Sequence, residues 1–208
     1  MYDLSELKKQ LEKNNFETYI SKDPEEAKSI FFEKIFKIEK PASLCWGDSL
    51  TLYSTHVLDE LKQDKNLQVI DPFDSTLTWK EQIDRRKKAF TCDMFLTGTN
   101  AVTAKGQLVN LDMVGNRVAA LTFGPRKVVL FIGKNKIVKD LDEAFQRVKK
   151  IAPLNALRHP NMKTPCQKTL QCIDCKSPQR LCNTWTITEK SFPKNRIKII
   201  LIDQELGL

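Results

Sequence analysis

Histidine is nearly missing, with 2 residues among 208. One of them, His56, falls inside a predicted helix with no Ser–His–Asp constellation around it, which leaves triad hydrolysis without support. It reads as a surface or packing residue. Long apolar runs are absent too. Nothing approaches the roughly 20 apolar residues that a membrane-spanning helix needs. The opening segment, Met-Tyr-Asp-Leu-Ser-Glu-Leu-Lys-Lys, has no apolar stretch behind a basic one, so no secretory signal is expected and a cytoplasmic location follows. Nucleic-acid motifs are also lacking. The net charge of +8 permits such binding, but the lysines are spread along the chain and describe a solvated basic surface. Hydrophobic content of 41% against 29% charged is that of a globular protein, and the length suits one domain spanning 1–208.

Glycine is scarce as well, and its distribution is uneven. Five of the 7 glycines lie between positions 98 and 133. Glycine accepts positive φ and lets a ligand or a second backbone come close. Among these glycines stand Thr97, Thr99, Asn100, Asn110, Asn116, Asn135 and Asp112. They are short donors and acceptors at predicted strand ends, where α/β folds bind ligands. The same stretch parses into elements. Asp93–Leu96 is a short apolar strand. Ala101–Thr103 and Gln107–Asn110 form a hairpin around Ala-Lys-Gly. Gly115–Phe123 is a short helix stopped by Gly124-Pro125. Lys127–Ile132 suits a strand buried on both faces.

The string Leu-Thr-Gly-Thr-Asn-Ala-Val-Thr-x-x-Gly-x-Leu-Val-Asn from Leu96, then Gly-Asn-Arg-Val-Ala-Ala and Asn-Lys-Ile-Val, resembles the LUD domain of the lactate-utilisation protein C family. The likeness runs over nearly the whole chain, including Asp71-Pro72-Phe73-Asp74 and the terminal Glu205-Leu206-Gly207. It implies a fold like the glucosamine-phosphate deaminase (NagB), ribose-phosphate isomerase (RpiA) and CoA-transferase group: a three-layer α/β architecture with a mostly parallel sheet flanked by helices. A more distant pattern is similar to methylthioribose-phosphate isomerases, whose Gly-Ala-Asp … Gly-x-x-x-Asn falls on Gly98-Thr99-Asn100 and Gly106–Asn110. The acid of that group lands on Asn100. An amide is neither acid nor base, so this resemblance implies a shared pocket without shared isomerase chemistry.

The N-terminal part, to about residue 36, alternates helix and strand, as a parallel sheet requires. Leu4, Leu7 and Leu11 sit at helical spacing over 3–14. Phe16–Ile20 reads as a strand. Asp23-Pro24-Glu25-Glu26 opens a second helix with an N-cap, a proline and an acid in their proper places. Ala42–Trp46 is the next strand. Gly47-Asp48-Ser49-Leu50-Thr51 feeds a helix from its end, which offers backbone N–H groups to an anion. Related family members resemble this turn with Gly-Gly-Ser. Asp48 departs from that, and Ser49 serves equally as an N-cap. Leu67–Ile70 is a strand, and Trp79–Phe90 a charged helix read as a solvated face. A further helix runs from Asp140 to about Ile151.

Residues 152–183 change character. Pro153, Pro160, Pro165 and Pro178 break any periodicity, and the segment carries Cys166-x5-Cys172-x2-Cys175-x6-Cys182. It reads as a loop insert without a core of its own. Four clustered thiols suit a tetrahedral zinc site or an iron–sulfur cluster such as 4Fe–4S. The spacing matches neither the common zinc pairs nor the ferredoxin run. Free structural thiols and a Cys172–Cys175 redox pair stay open. Cys45 and Cys92 sit at predicted strands as small hydrophobes. The chain closes on Thr184–Glu189 and Arg196–Ile202; Ile197, Ile199, Ile200, Leu201 and Ile202 make the last a core strand, and the pair is read as a hairpin-like edge pinning the cysteine loop.

The expected ligand site comprises Gly47, Ser49, Thr51, Thr97, Gly98, Thr99, Asn100, Asn110, Gly115, Asn116, Arg117 and Lys136. Arg117, Lys136 and the amides would bind a small carboxylate or organic phosphate. The family resemblance implies an accessory role beside iron–sulfur partner proteins that oxidise lactate to pyruvate. One alternative is a stand-alone isomerase or transferase with Asp112, or else Asp48, as base. Another is a regulatory module docking through its cysteine loop.

Overall fold

The computed structural model describes residues 2–208. Among the described residues ten strands form two sheets. Six strands are β1 (Glu17–Ser21), β2 (Ser43–Trp46), β3 (Gln68–Ile70), β4 (Met94–Thr97), β7 (Lys127–Gly133) and β10 (Ile197–Ile202). They build a parallel sheet in the order β1-β10-β7-β4-β2-β3. The other four are β5 (Ala101–Thr103), β6 (Leu108–Asp112), β8 (Ile137–Val138) and β9 (Thr184–Thr188), ordered β8-β5-β6-β9. Only β5 and β8 run parallel there.

Among the described residues nine α-helices accompany the sheets: α1 (Leu4–Lys13), α2 (Pro24–Ile30), α3 (Lys37–Glu39), α4 (Leu50–Tyr53), α5 (Val57–Leu61), α6 (Trp79–Lys87), α7 (Asn116–Thr122), α8 (Leu141–Leu157) and α9 (Cys166–Thr169). A π-helical stretch, Phe31–Phe36, joins α2 to α3. The main sheet has a core on each face. Leu7, Leu11, Phe95, Leu130 and Leu201 lie on one side. Phe31, Ile35, Leu96, Phe131 and Ile200 lie on the other. That sandwiching explains why β7 and β10 are apolar runs without alternation. No helix among the described residues is long and apolar enough to cross a membrane.

Lys198 is the exception in β10, at 3% exposure. Its ammonium meets Glu17 at 2.5 Å and Glu39 at 3.0 Å, and Lys127 adds a contact to Glu39 at 3.1 Å. Burial works to raise the Glu39 pKa, but Lys198 and Lys127 together hold it below the usual carboxylate value. A carboxylate lowered in the fold stabilises above its unfolded pKa. That contribution disappears as pH falls through the folded value.

Three expectations need correction. The first concerns α8, which does not stop near Ile151. It continues through Pro153 to Leu157. Proline removes one helical hydrogen bond, but Pro153 and Ala156 are buried. The Gln167 side chain donates to the Ala156 and His159 carbonyls, at 2.7 and 3.0 Å, where the helix ends. Packing and this cap hold the last turn, so the irregular cysteine segment begins after Leu157 rather than at 152. The second is the closing hairpin. β9 pairs with β6 in the small sheet, whereas β10 lies inside the large one between β1 and β7. The apolar run 197–202 is buried throughout, as a core strand requires, but it is neither an edge nor the hairpin partner of β9. The third is His56. It stands before α5 in a left-handed conformation, φ 55°, and pairs with Asp59 at the surface.

Candidate functional site

The C-terminal ends of β2, β4 and β7 open onto one cleft of about 630 Å³, within the range of small-ligand sites. The turn after β4 and β6 form one wall, and residues of α8 line the cleft beside it. Arg117, on α7, is the hub of the first wall at 8% exposure. Its guanidinium donates to Asn110 Oδ1 at 2.5 Å, Asn100 Oδ1 at 2.8 Å, the Leu111 carbonyl at 3.0 Å and Asp112 Oδ1 at 3.2 Å. Asp112 also accepts from the Arg117 backbone N–H at 3.1 Å. The residue before α7, Gly115, has no side chain with which to cap, so the carboxylate does that work. Thr99 Oγ1 lies 3.1 Å from Asn110 Oδ1. Gly47 is held close to this hub: a Cβ there would stand 3.1 Å from Arg117 Cγ and 2.8 Å from Thr97 Oγ1. Thr97 Oγ1 and Asn110 Nδ2 are buried without partners among the described residues.

Lys136 enters from the turn that follows β7. It is 5% exposed. No hydrogen bond or ion pair to its ammonium exists among the described residues. Burial, then the nearby Arg147 and Arg117 charges, push its pKa down to about 7. Arg147 comes from α8 and donates to the Asn135 carbonyl at 2.9 Å and the Asn100 carbonyl at 2.6 Å. Burial lowers its pKa. Those bonds use Nε and Nη1 and leave Nη2 over for a ligand. Arg86 reaches the cleft from α6, stacked over Phe73 and Trp79 at 5.1 Å from each ring centre. The helix read as a solvated face therefore contributes one inward cation. Arg158 is paired with Asp48 at 2.8 Å. Among the described residues five Lys and Arg side chains line the cleft against two side-chain carboxylates.

Of the expected ligand residues, Ser49, Gly98, Thr99, Asn100, Asn116, Arg117 and Lys136 line this cleft, together with Asp48 and Asp112. Gly47, Thr97 and Asn110 stand behind the wall as supports. Thr51 donates to the Leu206 carbonyl at 3.0 Å, and Gly115 precedes α7. Both carboxylates named as candidate bases are in ion pairs. Ser49 is the N-cap of α4, accepting from the Leu52 N–H at 3.3 Å. Sequence reasoning missed Arg86, Arg147, Asn155 and Arg158. Three of these had a signal: Arg147, Ile151, Asn155 and Arg158 repeat at helical spacing, which puts them on one face of α8.

Gly98 gives a direct test of this packing. A Cβ at Gly98 would stand 2.6 Å from Ser49 Oγ. We predict that Gly98→Ala turns the serine away from its capping position and costs about 1 kcal/mol, the usual worth of an N-cap. Thermal unfolding measures this; an unchanged midpoint would mean the turn has room to spare.

The four loop cysteines lie beside the cleft. Cys166, Cys172, Cys175 and Cys182 line a second cavity of about 20 Å³, and Cys182 also faces the large one. All are free thiols. Among the described residues no three His, Cys, Asp or Glu side chains are set to hold a metal ion. Cys45 and Cys92 are fully buried, as expected of small hydrophobes.

The strand ends of a parallel α/β sheet thus carry a cleft rich in cationic side chains, at the place where such sheets hold their sites. The LUD-domain model matches residues 4–202. The chain belongs to the LUD-domain family, and at that level it is a lactate-utilisation-related protein. A crystal structure of a DUF162 family protein from Deinococcus radiodurans is similar in fold, with a TM-score of 0.55, 11% identity, and 96% of this chain and 95% of that chain covered. No curated protein matches.

Proposed function

We propose that the cleft binds a small organic anion, a carboxylate or a phosphate ester, and that Lys136 is its anchor. One observation carries this reading: a lysine at 5% exposure that has no counter-charge among the described residues. A buried unpaired ammonium is costly, and an anion beside it and Arg147 removes that cost. We further propose that the protein acts in the cytoplasm, where thiols stay reduced, as an accessory component. Its iron–sulfur partner proteins would oxidise lactate to pyruvate there. Family membership supports this role, and so does a cleft of the right charge for both acids. A thermal-shift screen with lactate, pyruvate, inorganic phosphate, sugar phosphates and CoA tests the reading. At least one is expected to raise the melting temperature; no response to any of them sinks it.

The Lys136 pKa adds a pH signature. An anion binds best to the protonated amine. Affinity for pyruvate, which stays ionised throughout, is therefore expected to fall as pH rises through about 7, and binding above that pH should take up a proton. Calorimetry in two buffers of different ionisation enthalpy reads the uptake. Equal heats in both would contradict it.

A further inference from the structure

We propose that Cys166, Cys172, Cys175 and Cys182 hold an iron–sulfur cluster of the 4Fe–4S type at the edge of the anion cleft. The argument starts from how the four side chains are arranged. They ring one cavity of about 20 Å³, although they come from a segment of 17 residues with little regular structure. None is in a disulfide.

The setting of the four thiols selects the occupant. A tetrahedral zinc ion, with Zn–S near 2.3 Å, draws its sulfurs to within about 4 Å of one another. Among the described residues no three His, Cys, Asp or Glu side chains are set to hold a single metal ion. In a cluster each thiolate takes its own iron, so the sulfurs stand farther apart around a shared centre.

The loop is shaped in advance for such a centre. Arg180 donates to the Cys175 carbonyl at 2.6 Å, the Cys182 carbonyl at 2.7 Å and the Asp174 carboxylate at 2.8 Å. This one guanidinium fixes the backbone of two of the four candidate ligands. Its charge also suits a cluster that carries net negative charge with its thiolates. Leu170 and Asp174 have positive φ, 54° and 48°. That conformation is strained for residues other than glycine and persists where the surroundings impose it. Both fall between Cys166 and Cys175, where the chain bends around the cavity.

Cys182, Leu181 and Ala152 line both cavities, so the partition between cluster and anion is one residue thick. A bound anion would therefore sit beside the cluster's edge.

The test is anaerobic isolation of the full-length protein from iron-replete cells. About four irons and four sulfides per chain, as a 4Fe–4S centre requires, with a brown colour and broad visible absorption, are expected. One zinc per chain in place of iron would overturn the proposal, and so would protein with neither metal. Cys175→Ser is expected to lose most of the visible absorption, whereas Cys45→Ser, far from the ring and buried, should keep it. If Cys175→Ser does not fold, the iron and sulfide content of the wild type still decides. Binding of the anion plays no part in these readouts.

Discussion

Lys136→Met is expected to weaken binding of any responding anion by roughly 10- to 100-fold, the worth of one charge-assisted hydrogen bond in a buried site. The same substitution should stabilise the free protein. An amine whose folded pKa is depressed makes the fold bind fewer protons than the unfolded chain. Its penalty is in full force below the folded value of about 7. It fades as pH rises towards the ordinary lysine value. A methionine of similar length carries no such penalty, so the gain should reach a few kcal/mol near pH 6 and shrink at alkaline pH. Denaturant unfolding at several pH values measures the stability, and calorimetry the binding. Lost affinity with lost stability would mean that Lys136 is a structural residue with a partner, and the anchor role would fall.

Arg117 makes the opposite prediction. Arg117→Ala removes a buried guanidinium whose partners are Asn100, Asn110 and Asp112. The Asp112 carboxylate would be left beside α7 without its cation, and two amide oxygens would lose donors. Removing one partner of a buried pair costs about 3–5 kcal/mol, and an unsatisfied group adds about 1–3 kcal/mol. The variant is expected to lose much of the fold's net stability, and with it the wall of the cleft. A loss below about 1 kcal/mol in denaturant unfolding would show that the hub relaxes freely. Arg117→Lys should recover little, because one ammonium does not reproduce the fork that reaches four acceptors.

Much of this architecture was legible. The apolar run of β7 announced a strand buried on both faces, that of β10 a core strand, and Asp23-Pro24 the start of α2. Thr97-Gly98-Thr99-Asn100 marked the turn over which the cleft opens. The pairing of the last two strands was not legible. Periodicity reports which residues are buried, but not which sheet a strand joins. Thr184–Thr188 and Ile197–Ile202 are close in sequence, yet the cis-proline loop between them carries the chain from one sheet to the other. Pro153 misled because local propensity was outweighed by burial of the last turn of α8. In the site, Lys136 and Arg117 stood in the glycine-rich stretch and drew notice. Arg86 lay in a helix dense with exposed charge, and only the tertiary arrangement separates its inward guanidinium from its solvated neighbours. Ser49 was balanced between anion site and helix cap, and its bond to Leu52 shows it capping α4.

The anchor itself can be observed directly in a crystal of the protein soaked with the anion that gives the largest thermal shift. The account predicts its carboxylate or phosphate oxygens within hydrogen-bonding distance of Lys136 Nζ and Arg147 Nη2, with the Arg117 hub unmoved behind them. An anion bound elsewhere, with Lys136 still unpaired in the occupied crystal, would contradict it.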